Sequence, residues 1–468
     1  MKGSVMKSVT RASLRDENDH VQRQRSLSVL AVLVVLFLAA MDSTAVSTVL
    51  AQINAQMQDA TLYPWVVSGF LLPLALIAPL AGALADRFGV SSMMKVSLLI
   101  FIAASALVAA SQSMVMLIAG RALQGVGAGG IIVLSYSMLA SLFDGPRRAS
   151  MQGMLSSVWG LAAVLGPVAG TVLGNTLSWR WVFWLNLPLG CLALAVLCFT
   201  PAIGRGQSTR TVDPIAQGLL AIAACAGLFM LSSQRLDMIP YPIATLAFVV
   251  LISLVALIAR VRQVPAGSPV PFGFFERPAL GAVMALVVIS SIGLYATVSV
   301  LPIALSHSPG SALSTGGLIM LAALGWVGGA TVCGKRLANV GFKSMAIVGM
   351  AMLMLGCLGV AAGLHCSQWL LMGIGQILVG LGMGFTATTT LVLAQNSAPP
   401  DQLGAYTSTV QFLRNLGAAF GVNALVAVAL YLPPDQSYPD TFLLLGLLMA
   451  LGLLFAFKLP ARGGPQKG

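Results

Sequence analysis

Runs of about 20 apolar residues, separated by short polar breaks, recur along the whole of this 468-residue chain. Each run is long enough to cross roughly 30 Å of hydrocarbon as an α-helix. Fourteen such windows are predicted, near 27–50, 64–84, 93–111, 114–137, 150–174, 181–200, 214–232, 241–260, 280–303, 313–333, 344–363, 368–392, 404–430 and 441–458. The breaks between them differ in charge. With the N-terminus placed in the cytoplasm, the inner segments and the two chain ends hold 21 of the 25 basic residues. The outer loops hold only Arg180 and Arg235, and Arg121 and Arg414 fall inside windows. A miscounted helix would scramble this alternation, so the pattern predicts fourteen helices with both termini cytoplasmic. Trp65, Trp179, Trp181, Trp184 and Trp369 fall near the outer boundary, as an interfacial aromatic belt would.

Composition agrees with lipid as the main solvent. The chain is 58% hydrophobic and only 8% charged, too little charge to cover a soluble protein of this length. A net charge of +12 would suggest nucleic acid in a soluble protein; here topology explains it, and no nucleic-acid partner is expected. The 49 glycines suit helices that pack closely through small residues. Cys191, Cys198, Cys225, Cys333, Cys357 and Cys366 lie mostly in apolar runs with no CxxC spacing, and read as packing residues. With only three histidines, neither a metal centre nor a cofactor is expected. Residues 1–25 are polar and mixed in charge and read as a mobile cytoplasmic tail; the apolar stretch after them is too long for a cleaved signal.

The chain also repeats itself. Gly82–Gly89 (GALADRFG) and Gly334–Gly341 (GKRLANVG) share a Gly-x6-Gly spacing at an offset of 252 residues. Gly125-Val-Gly-Ala-Gly129 has a counterpart in Gly380-Leu-Gly-Met-Gly384, and Gly166/Gly170 in Gly417/Gly421. Three matches in order at a nearly constant offset pair windows 1–6 with 9–14. The predicted organisation is a tail (1–26), an N-terminal six-helix bundle (27–200), an inserted pair (201–262), a C-terminal six-helix bundle (263–460) and a short tail (461–468). Bundles related by an axis along the membrane normal place a cavity between them near midplane.

These residues resemble the major facilitator superfamily and, within it, the fourteen-helix drug:proton antiporter branch. Gly82–Gly89 is similar to the family's loop 2–3 motif, and Leu117–Gly127 to its window 4 motif around a buried Arg. Gly166-Pro-Val-Ala-Gly170 resembles the core of the antiporter motif. Trp179–Pro188 (WRWVFWLNLP) resembles the stretch entering window 6, and Met41–Thr44 the start of the window 1 motif. The likeness runs from about residue 30 to 458. It departs at Val90 and Ser91, where the family has a basic pair, at Thr171 for the second motif Gly, and at Ser47 and Ala51 for an Asn and a Pro. The resemblance implies an all-α major facilitator fold and a multi-pass protein of the cell inner membrane.

Asp42 is the only acid inside any predicted window. It sits about 15 residues along, or ~20 Å deep at 1.5 Å per residue. An ionised carboxylate is expensive there, so reversible protonation is a natural way to couple a proton gradient to conformation; a permanently paired structural Asp is the rival reading. Arg121, ~10 Å from the outer end of its window, matches that depth. It could pair with Asp42 directly or through Gln124, Ser43 and Thr44. The resemblance implies a role in proton transfer, and a purely structural salt bridge is the alternative. Arg414, Gln411 and Asn415 form a second polar cluster that either lines the cavity with Gln124 or bonds neighbouring carbonyls. Trp159 and Trp326, one in each half and away from the interfaces, offer aromatic faces from which a cationic ligand would gain, or are ordinary packing aromatics. For Gly82, Asp86, Arg87 and Gly89 the resemblance implies a gate: Asp86 would meet the start of window 13, whose helix N-terminus favours an anion. Gly166, Pro167 and Gly170, continued by Gly174, give a smooth helix face with a local bend, an element the family associates with antiporters.

The reading that follows is a secondary transporter, not an enzyme, that exports amphipathic small molecules in exchange for protons by alternating access. A metabolite:proton uptake symporter of the same fold is the near alternative. A membrane sensor would want a large soluble domain, and a membrane enzyme a polar cluster of nucleophile, base or metal ligands. Whether a periplasmic adaptor protein is a further partner is left open by the sequence.

Overall fold

The computed structural model describes residues 2–57, Leu62, 65–200, 213–232, 243–305, 311–431 and 437–461, and these contain helices and turns but no strand. In lipid each segment must satisfy its own backbone, which the helix alone does within one segment. The first half holds α1 (Lys2–Met57), α2 (Trp65–Phe88), α3 (Val90–Ala109), α4 (Met114–Leu142), α5 (Gly145–Thr176), α6 (Arg180–Trp184) and α7 (Asn186–Phe199). Next come α8 (Pro214–Ser232), α9 (Ile243–Gln263) and the single turn α10 (Gly273–Glu276). The second half holds α11 (Pro278–Ala304), α12 (Ser311–Val340), α13 (Phe342–His365), α14 (Trp369–Ser397), α15 (Leu403–Tyr431) and α16 (Ser437–Ala456).

Twelve helices among the described residues are long and apolar enough to cross a membrane, two fewer than the fourteen windows. One of the two is the shorter apolar helix Pro214–Met230. The other is α15, 29 residues long, part of whose apolar end lies outside the residues whose side chains are described. The expected N-terminal tail is also different: α1 is helical from Lys2, and its apolar part is Gln24–Val46. Residues 201–212 of the inserted segment and the last residues of the C-terminal tail lie outside the described residues.

The two halves use one packing scheme. In the first, α1 lies on α5, α2 on α4, and α3 on α4 and α7. In the second, α11 lies on α15, α12 on α14, and α13 on α14 and α16. The repeated glycines produce this order. A Cβ on Gly125 or Gly129 would run into backbone of α2, and one on Gly127 into Phe101 of α3. Gly380 and Gly384 meet α12 in the same way, and Gly382 meets α13. Alternate glycines thus let one central helix touch two neighbours at backbone distance, where dispersion rather than a hydrophobic drive holds helices together. Gly89 and Gly341, at φ 91° and 93°, make the matching sharp turns into α3 and α13.

The halves meet through α2 with α15 and α5 with α12. Helices α8 and α9 pack on each other, and α8 reaches α15 through Gly227 against Phe420 and α2 through Trp65 against Phe229. Arg260 of α9 donates to Asp213 at 2.6 Å while Asp213 also caps α8 through the Ile215 N–H. The Arg260 hydrogen bond holds the Asp213 carboxyl below the usual carboxylate range. Phe248, Leu251, Val255 and Ile258 of α9 face outward, as lipid-facing side chains do.

The glycine contacts predict a contrast between two substitutions. Gly125→Ala should destabilise by about 1–3 kcal/mol, because the Phe70 carbonyl it meets is backbone. Gly218→Ala, with nothing within 4 Å of its added methyl, should be neutral or raise stability by up to ~1 kcal/mol. Thermal unfolding of purified variants checks both; equal effects would remove the packing argument.

Candidate functional site

Asp42 and Arg121 are the charged pair at the centre of the first half. Asp42 of α1 is fully buried and Arg121 of α4 is 1% exposed. They meet directly, Arg121 Nη1 lying 2.6 Å from Asp42 Oδ2. The other carboxylate oxygen accepts from Gln124 Nε2 and from Asn186 Nδ2, each at 2.9 Å. Ser105 of α3 supplies an acceptor to the same two amides, at 2.9 and 3.3 Å. Asn186 arrives because the membrane segment breaks between α6 and α7. Pro188 cannot donate and its ring crowds the Trp184 carbonyl, so the helix restarts at Asn186.

Three donors on two oxygens is the pattern of an ionised carboxylate. Arg121 has further support that does not depend on Asp42. Its Nη1 also donates to Gln124 Oε1 at 2.6 Å and its Nε to the Val66 carbonyl at 3.3 Å. Its guanidinium carbon lies 4.1 Å from the Phe70 ring centroid and 5.7 Å from that of Phe183. A cation between two aromatic faces keeps part of its stabilisation if the carboxylate is neutralised. Ser43 bonds the Ala40 carbonyl, and Thr44 Oγ1 donates to the Ala162 carbonyl of α5 at 3.0 Å.

The second region is the seam between the halves. Both Asp86 oxygens accept backbone N–H groups at the start of α15, from Gly404 at 2.7 Å and Ala405 at 2.8 Å. A Cβ on Gly82 would overlap the Gly404 carbonyl and Ser408, and one on Gly404 would meet Gly82 in turn. Arg87 is exposed and lies over Phe88 at 5.2 Å. On the other seam Arg148 of α5 donates to Asn396 at 2.9 Å, and Gln152 to Gln395 at 3.1 Å. Gly153 meets the Ala330 carbonyl and Gly160 meets Val327, both of α12. Farther along α5, on the adjoining face, Val164 and Val168 are 37% and 56% exposed. The seam is thus closed at the Asp86 end. Opposite that face, Gly166, Gly170 and Gly174 receive Thr44, Ala45 and Val49 of α1, with Pro167 inside the helix.

Where the closed seam ends, a cleft is lined by Tyr136, Gln152, Ser156, Trp326, Ala387, Thr388, Leu391 and Arg414. Its free volume in this conformation, ≈ 10 Å³, is room for about one water and far below the roughly 300–1,000 Å³ of pockets that bury drug-sized ligands. Trp326 and Arg414 are on its wall, Gln411 bonds Arg414 at 2.9 Å, and Trp159 lies beside Tyr136. Two expected cavity residues are elsewhere. Gln124 belongs to the Asp42 cluster, drawn there by an acid needing donors, and half-buried Asn415 does not line the cleft. Trp159 and Trp326 share their neighbourhood with the Arg414 guanidinium, and no carboxylate lies on the cleft wall among the described residues.

The sequence analysis missed Asn186, Ser105, Phe70 and Phe183 around Asp42, and Tyr136, Gln152, Arg148 and Gln395 at the seam. Asn186 had a signal, as the one amide in the stretch entering the sixth window. The others are ordinary residues until the helices are packed.

Comparison with known proteins agrees with this architecture. The Major Facilitator Superfamily pattern matches residues 32–422, and the chain belongs to that family of membrane transporters. It is 29% identical over 413 residues to the multidrug transporter protein MdtP of Bacillus subtilis, covering 87% of this chain and 76% of that one. It is 28% identical over 417 residues to the efflux pump dotC of Dothistroma septosporum, covering 85% of this chain and 70% of that one. In fold it matches the proton:xylose symporter XylE with a TM-score of 0.69 at 12% identity, covering 93% of this chain and 96% of that one.

Two predictions follow from the geometry. Arg121→Gln alone leaves Asp42 buried and unpaired and should destabilise by about 3–5 kcal/mol. Combined with Asp42→Asn it should recover most of that loss, as thermal unfolding of single and double variants would reveal. Asp86→Ala removes two charge-assisted bonds and should open the closed end. Spin labels at Phe88 and Asp401, both exposed, should then report a longer distance; an unchanged distribution would mean that Asp86 does not hold the halves together.

Proposed function

We propose that the protein exports amphipathic small molecules across the cell inner membrane in exchange for protons, with Asp42 as the exchanging acid and Arg121 as its counter-ion. The observation that carries this reading is the Asp42–Arg121 pair, buried out of contact with water and alternately stabilised by rings and amides. The names of two relatives, a multidrug transporter and an efflux pump, support export. In the same reading the chain has fourteen spans in two six-helix bundles (27–200 and 263–460), with an inserted pair at 201–262. Both termini are cytoplasmic, supported by the 21 basic residues on one side.

The cycle follows from the contacts. With Asp42 ionised, α1, α4 and α7 are tied together and the Asp86 end is closed. Protonation removes the charge that three donors hold in place and loosens α1 against α4. Thr44 of α1 fills the hollow of Gly166, so displacement of α1 passes to α5, whose other side forms the seam with α12. Gly166, Pro167 and Gly170 transmit the motion, while Gly82, Asp86, Arg87 and Gly89 form the gate that releases. Trp159, Trp326, Gln411 and Arg414 are the substrate surface exposed in turn.

Inside-out vesicles test the reading. Adding substrate should drive proton release in wild type, and Asp42→Asn should abolish that release while leaving substrate binding in place. Proton release that survives the substitution would remove Asp42 from coupling. Proton movement in the same direction as substrate would replace export with uptake.

A further inference from the structure

Arg414 is buried as deeply as few arginines are, at 6% exposure, yet it forms no salt bridge among the described residues. Its Nη1 donates to Gln411 Oε1, a neutral acceptor, and its Nε has no partner. The contrast with Arg121 is direct: that arginine, equally buried, has a carboxylate at 2.6 Å. A buried cation without a counter-ion is several kcal/mol above a paired one, unless something else supplies the negative charge.

The surroundings of Arg414 are short of acceptors in general. Gln411 Nε2 and Trp326 Nε1 are also buried donors without partners. With Arg414 Nε they are three buried N–H groups in and beside the cleft without a well-formed hydrogen bond, the Tyr136 phenol oxygen being a neighbouring neutral acceptor. The Tyr136 phenol lies beside Arg414, Gln411 and Trp159, and Tyr295 faces both Arg414 and Tyr136. Tyr295 meets Trp326 edge-on at 6.5 Å between centroids, so the rest of the wall is aromatic. Ala387 and Leu391 extend the apolar side, and Ser156 and Thr388 add small hydroxyls.

We propose that this cleft, closed to about one water's volume here, takes an amphipathic organic anion when the two halves part. A carboxylate or sulfonate is received by Arg414 with the Gln411 and Trp326 N–H groups, and the apolar body lies against Trp326, Tyr136 and Tyr295. The proposal rests on the export reading above for its place in a transport cycle, but the binding preference stands on the cleft alone. A cationic ligand would meet an uncompensated guanidinium at close range. A neutral ligand would leave that guanidinium unpaired.

Binding of three probes of one shape tests this: 2-naphthoate, 2-naphthamide and 2-naphthylmethylammonium, titrated calorimetrically at pH 7.5 into full-length protein in phosphatidylcholine nanodiscs. Wild type should bind naphthoate at least about tenfold more tightly than either of the others. Arg414→Gln should erase that preference and Arg414→Lys should retain part of it. Should Arg414→Gln not fold, Trp326→Phe keeps the ring but removes the N–H, and should weaken naphthoate severalfold while leaving the amide unchanged. Equal affinities in wild type, or a preference that survives loss of the Arg414 charge, would overturn the proposal. An anion preference without substrate-driven proton movement would sink only the export reading. Proton-coupled export of all three probes alike would sink only this one.

Discussion

The Asp42 carboxyl lies in a region where an isolated ion is strongly disfavoured, and four neighbouring helices converge to supply its surroundings. Helix α4 gives Arg121 and Gln124, α7 gives Asn186, α3 gives Ser105, and α2 gives the Val66 carbonyl and the Phe70 ring that steady the arginine. The register of the whole first half is set by this one demand. A helix rotated by one residue would carry its donor out of reach, and a buried polar group left unpaired is worse than none. The sixth helix of the half, α5, is tied in through Thr44 seated at Gly166, two residues along from the acid.

The second half has the same packing and different electrostatics. At the position matching Arg121 it has Gln376, buried with neither amide atom partnered among the described residues. Leu294 matches Asp42, and Ala338 matches Asp86. Backbone-distance packing through glycine tolerates this divergence, because it depends on absent side chains rather than on specific ones. The duplicated scaffold has thus been left with charge chemistry in one half and, in Arg414, a lone cation in the other.

What the sequence made visible follows the same division. Helix windows, the two-fold order and the glycine contacts were legible, because hydropathy period and glycine spacing are local properties of the chain. The meeting of Asp42 with Arg121 was legible through depth arithmetic. Their amide neighbours were not, because Gln124 and Asn186 acquire meaning only when α4 and α7 are rotated against α1. Gln124 looked like a cavity residue for that reason. The charge character of the cleft was hidden as well: two tryptophans suggested a site for cations until the fold set Arg414 between the same walls.

Arg414 also bears on what powers the protein. In the proposed cycle, with one proton exchanged at Asp42, a cleft whose own charge is positive would carry a singly charged anion out as one proton comes in. In the proposed orientation both movements run with an inside-negative membrane voltage, the anion repelled outward and the proton drawn inward. At about 2.3 kcal/mol per charge per 100 mV, the two together draw roughly 4–5 kcal/mol from voltage before any pH difference contributes. In that cycle the voltage would drive substrate outward even with equal pH on both sides, where a strictly pH-driven exchanger has no drive at all.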